Sequence, residues 1–63
     1  MPYKIVLHML DVELQEVHFI HAENLRDAKF KSLKFQSGKR TRKVDYLRMT
    51  ELEVKEQCGV YED

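Results

Sequence analysis

Apolar and polar positions alternate at the start of the chain. Tyr3, Ile5, Leu7 and Met9 share one parity, and Lys4, Val6, His8 and Leu10 share the other. Successive side chains of a strand point to opposite faces, so this period-two pattern predicts a strand over residues 3–10. The second parity is itself half apolar, which suits a central strand or one covered on both sides. Residues 11–15 form the connection. They lack the Asn-Gly or Asp-Gly dipeptide of a two-residue hairpin, so a looser turn or a bulge is expected. A second strand follows over residues 16–21, with Val17, Phe19 and His21 on one face and Glu16, His18 and Ile20 on the other. Turning the chain about Glu13 sets Met9 opposite Val17 and Leu7 opposite Phe19 as the buried face. The other face then pairs Val6 with Ile20 and His8 with His18. A slip of one residue would invert every one of these assignments.

The period then changes to that of a helix. Asn24 is a good N-cap, and Asp27 three residues on serves as the reciprocal partner of a capping box. Leu25, Ala28, Ser32 and Phe35 fall on one stripe, with Leu33 on its flank. Phe30 points away from the stripe, toward a sheet edge or a second subunit. Gln36, Ser37 and Gly38 end the helix, with the glycine as the C′ residue. Residues 39–42 are a polar loop, and residues 43–49 read as a third strand through Val44, Tyr46 and Leu47. The tail is open to two readings. Leu52 and Val54 alternate with Glu51, Glu53 and Lys55 as in a strand, while Thr50 with Glu51 and Glu53 suits the start of a short helix. Gly59 breaks whichever element precedes it.

These elements predict one α+β domain over residues 1–63, in the order β-β-α-β. A small antiparallel or mixed sheet of three to four strands carries one helix on one face. The expected core sets Leu25, Ala28, Leu33 and Phe35 of the helix against Ile5, Leu7, Met9, Val17 and Phe19 of the sheet. Val6, His8, Leu10, His18 and Ile20 are left on the outer face. A half-apolar patch of this kind is seldom left open, so it is the expected interface of a homodimer.

Size supports that expectation. In a chain of 63 residues a single core supplies only about 3–5 kcal/mol. Cys58 is the only cysteine, so no disulfide forms within the chain, and no Cys/His cluster has the spacing of a structural zinc site. Good packing or oligomerisation remains. No apolar run reaches the roughly 18 residues of a membrane span. Lys4 interrupts the N-terminus as a signal peptide, and with a single thiol the cytoplasm is the expected compartment.

Charge is balanced overall, with eleven basic and eleven acidic residues, but it is not evenly spread. Lys29, Lys31, Lys34, Lys39, Arg40, Arg42 and Lys43 follow one another with no acid among them, and acidic residues flank them on both sides. A basic helix end and loop of this kind can track a phosphate backbone, with Phe30 and Tyr46 near enough to stack on bases. The plainer alternative is a solvated face whose lysines pair with the acidic flanks. A domain with basic and acidic patches of similar size also suits self-association.

Candidate chemistry is sparse. His8 and His18, facing each other across the hairpin, would need a third ligand to hold zinc or nickel, whereas His18 and His21 fall on opposite faces of one strand. Cys58 has Glu53 and Glu56 nearby and no histidine, which raises a thiol pKa rather than activating it. Ser32 and Ser37 are in no nucleophile-elbow context, Glu13 and Glu16 form a solvated acidic turn, and Gly38-Lys39 lacks the spacing of a phosphate loop. No catalytic residue, resident metal or cofactor is expected. An interaction or structural module is favoured over a nucleic-acid binder, and that over a metal protein or enzyme.

One further pattern lies in the middle of the chain. Glu16-Val17-His18-Phe19 followed by Glu23-Asn24-Leu25 resembles the second strand and helix start of a bacterial family of unknown function, family 1543. Phe35 matches its aromatic at the helix end, and Lys43-Val44-Asp45 its His-Ile-Asp at the next strand. The resemblance spans about residues 13–47. It departs at Gln15-Glu16, where that family carries a His-Asp pair. It implies a strand–strand–helix–strand unit with no known activity and assigns no functional residue.

Overall fold

A computed structural model describes residues 1–57 and 61; Cys58 and Gly59 lie outside the described residues. The elements are β1 (Pro2–Met9), β2 (Gln15–His21), α1 (Leu25–Gln36), β3 (Thr41–Arg48) and α2 (Glu51–Gln57). The class is α+β: a three-stranded sheet in the order β2-β1-β3, with β1 antiparallel to both neighbours. β2 and β3 therefore run parallel to each other with β1 between them, and α1 crosses β1 to join them. β1 takes the centre because it is apolar on both parities; Tyr3, Ile5, Val6 and Leu7 are all buried. Pro2 has no N–H to give, and it sits at the first position of the strand, where that loss is tolerated. Its carbonyl accepts from Met49 N at 2.9 Å.

The hairpin register differs from the one expected about Glu13. Val6 pairs with Val17, Leu7 with Glu16, Ile5 with His18 and Tyr3 with Ile20. Relative to the expected register β2 is displaced by an odd number of residues, so its faces are exchanged. His18 and Ile20 join Tyr3, Ile5 and Leu7 beneath α1, while Val17 and Phe19 join Val6 on the opposite face. Two physical causes account for this. The connection is the five residues 10–14, closed by Met9 N donating to Leu14 O at 3.1 Å, so the turn centres nearer Val12 than Glu13. A second helix also covers the far face, which lets Phe19 be buried there. Between His8 and Met9 the β1–β3 ladder shifts, and Arg42 is the extra residue.

α1 begins as its cap requires. Asn24 Oδ1 accepts from Asp27 N at 2.8 Å, and Asp27 Oδ2 accepts from Glu23 N at 3.0 Å. It ends with Ser37 N donating to Leu33 O, followed by Gly38 at φ +75°, a left-handed conformation that favours glycine. The residues that meet the sheet are small. Ala28 and Ser32 are fully buried, which brings the helix axis close and leaves room only for Phe35 beside them. Ser32 Oγ donates to Lys29 O at 2.7 Å, lies 3.2 Å from Tyr46 Oη, and accepts from Gln36 Nε2 at 3.1 Å, so this buried hydroxyl is satisfied. Leu25 and Leu33, expected in the core, are exposed instead. Leu33 lies about 140° round the helix from Ala28, beyond the reach of a sheet three strands wide.

The tail resolves as a helix. Thr50 and Glu53 form a reciprocal capping box: Thr50 Oγ1 accepts from Glu53 N at 3.2 Å, and Glu53 Oε1 accepts from Thr50 N at 3.0 Å. α2 buries Val54 against Phe19 and Met49, with Tyr61 packed alongside. The core is thus in two layers. The larger lies between α1 and the sheet, and the smaller between the sheet and α2.

Candidate functional site

The new register separates residues expected to stand together. Val6 and His8 are on the α2 side, His18 and Ile20 on the α1 side, and Leu10 lies exposed beyond the end of β1. Ile20 is wholly inaccessible and His18 is buried, so the five residues expected as a dimer interface do not form one surface. The same geometry corrects the proposed metal pair: His8 and His18 point to opposite faces of the sheet. No group of three or more potential metal ligands occurs among the described residues.

Each histidine has a carboxylate partner of its own. His8 Nε2 lies 2.8 Å from Asp45 Oδ2, across the β1–β3 pair. Gln15 Nε2 donates to His8 Nδ1 at 3.3 Å, which leaves the neutral ring's proton on Nε2, toward Asp45. His18 Nε2 lies 2.7 Å from Glu16 Oε1, and its ring stacks on Phe35 at 4.1 Å and 10°. His21 Nε2 lies 3.7 Å from Glu51 Oε1, with its ring 4.0 Å from that of Tyr61. The hydrogen bond from Lys39, then that from His18, holds the Glu16 carboxyl below the usual carboxylate range. The Asp45 carboxyl is lowered first by His8 and further by the charge of Lys43, and Asp27 first by the Glu23 amide and then by Lys31. The His8–Asp45 pair ties β1 to β3, the stack of His18 on Phe35 ties β2 to α1, and the His21–Glu51 pair ties β2 to α2.

The basic segment is continuous in sequence but not in space. Lys31 pairs with Asp27, Lys39 with Glu16, Arg40 with Asp11 and Lys43 with Asp45. Lys29 lies over the Tyr46 ring and Lys34 over the Phe35 ring, at 5.7 and 5.2 Å from the centroids. Arg42 makes no ion pair among the described residues. Lys43 projects from the α2 side of the sheet, whereas Lys29, Lys31 and Lys34 belong to α1 on the other side. A phosphate backbone would have to reach both faces to meet them all, and four of the seven cations already have acids.

One surface does assemble. On the side of α1 away from the sheet, Phe30 is 72% exposed and Leu33 57% exposed. With Lys31 and Lys34 they line a shallow concavity of about 400 Å³. Phe30 was recognisable from its place off the buried stripe, whereas Leu33 was assigned to that stripe. Across the molecule, α2 carries a second exposed apolar residue, Leu52, at 65%. Nothing in the sequence alone marked it, because its exposure depends on which side of α2 docks. No protein-family model, curated protein or solved structure matches the chain. No helix among the described residues is long and apolar enough to cross a membrane.

Proposed function

We propose that this domain is an interaction module that associates with a second copy of itself, and that the outer side of α1 takes part. The observation that carries this reading is the pair Phe30 and Leu33, three residues apart on a helix and both more than half exposed. An aromatic and a leucine placed together on an outer helix face gain nothing by remaining in water. Covering the part of each that is still exposed would contribute about 1–2 kcal/mol apiece. Together that is comparable with the about 3–5 kcal/mol expected from a core of this size.

Association also costs about 4–15 kcal/mol in lost rigid-body freedom, so these two anchors do not carry a complex alone and further contacts around them are required. The appropriate test is sedimentation equilibrium carried to high micromolar protein. The expected result is an average mass that rises above that of one chain with concentration, and a smaller rise for Phe30→Ser. A single-chain mass at every concentration rejects the reading.

A further inference from the structure

The charges around the exposed apolar residues say what can cover them. Between its caps α1 carries Arg26, Lys29, Lys31 and Lys34 against the single acid Asp27, which is already engaged by Lys31 and the Glu23 amide. Phe30 and Leu33 therefore sit in a basic surround. Two α1 faces related by a two-fold axis would bring Arg26 and Lys34 against their own copies, and like charges in contact disfavour that arrangement. α2 is the complement. It carries Glu51, Glu53 and Glu56 against the single base Lys55. Leu52 and Glu56, one helical turn apart, lie on the side opposite the buried Val54. Each helix thus presents exposed apolar side chains within charge of opposite sign to the other's. α1 packs on one face of the sheet and α2 on the opposite face, so the two outer surfaces of one molecule cannot meet each other.

We infer that the outer face of α1 in one copy docks on the outer face of α2 in the next. In this contact Leu52 enters the concavity between Phe30 and Leu33, and Glu56 faces Lys34 and Arg26. The inference rests on the self-association reading above and gives it a direction. The contact is heterologous: two copies joined by it leave one α1 face and one α2 face unused, so further copies add head to tail unless a ring closes. Added salt weakens it, because the charges involved are exposed.

A mixing experiment tests the direction. Phe30→Glu blocks the α1 face and leaves α2 intact, whereas Leu52→Lys blocks the α2 face and leaves α1 intact. Each variant alone is expected to sediment as a single chain. Their equimolar mixture is expected to associate, through the intact α1 face of one variant and the intact α2 face of the other. Both positions are exposed, and unchanged circular dichroism and melting temperature would establish that the folds are intact. Phe30→Ser and Leu52→Ser serve in the same design should a charged variant misfold.

The face assignment is overturned if Leu52→Lys alone associates as the wild type does, or if the mixture stays monomeric while the wild type associates. A wild type that never associates removes the parent reading as well, so the two failures are distinguishable.

Discussion

Replacing Ile20 by valine removes one methylene from a side chain that is wholly inaccessible and packed among Tyr3, Ile5, Leu7 and Ala28. The lost transfer energy and the small void left behind should cost about 0.5–1.5 kcal/mol. The contrasting change, Val17→Ala, removes more carbon from the same strand, β2. Val17 is 41% exposed on the other face, so that change should stay within about 0.5 kcal/mol. The two variants separate the observed register from its one-residue inversions, in which Val17 is core and Ile20 is outside. The assay is urea unfolding at low micromolar protein, where self-association does not contribute. With a slope near the low end for small proteins, about 1 kcal/mol/M, the Ile20→Val midpoint should fall by roughly 0.5–1.5 M at unchanged slope. A neutral Ile20→Val together with a clearly destabilising Val17→Ala would refute the pairing of Val6 with Val17.

Other outcomes follow from single contacts. Thr50→Ala removes the side-chain half of the α2 capping box and should cost about 1 kcal/mol, read as faster amide exchange in α2 and a lower urea midpoint. Ser32→Ala leaves the Tyr46 hydroxyl with Gln36 as its nearest partner and should cost about 1 kcal/mol by the same midpoint, whereas an unchanged midpoint would mean that the hydroxyl network contributes nothing. The Glu16 and Asp45 carboxyls are lowered in the folded state, so their contribution is present above the ordinary carboxylate pKa and is lost as pH falls through the lowered values. A urea midpoint followed downward from neutral pH should therefore decline only on acidification, and less so in Glu16→Gln. Zinc should not raise the melting temperature, because His8 and His18 face opposite sides of the sheet.

All but the last of the elements were legible because each has a local cause. Alternation marked β1 and β2, Asn24 and Gly38 bounded α1, and Thr50 with Glu53 held the signature of a cap. The register was not legible. β2 is apolar on both parities, through Val17 and Phe19 on one and Ile20 on the other, so hydrophobicity alone does not choose its inner face. The five-residue turn carries no dipeptide that would set the pairing. The choice comes from α2, which gives Phe19 a place to be buried. That helix was itself ambiguous, since Leu52 and Val54 alternate as well in a strand as in one turn of helix. The errors at the site follow from the same source. His8 and His18 were set together by the assumed register, and Leu33 was set in the core by a stripe drawn wider than the sheet beneath it. Phe30 was found because its distance from Ala28 around the helix is large under either register.

The most direct test of the account is a dilution series followed by the backbone amide resonances of the wild-type chain. The account expects concentration-dependent shifts at Phe30, Leu33 and Lys34 on α1 and at Leu52 and Glu56 on α2, with His8, Val17 and Asp45 unmoved. Shifts confined to α1, shifts centred on the sheet, or none at all up to the highest soluble concentration would contradict it.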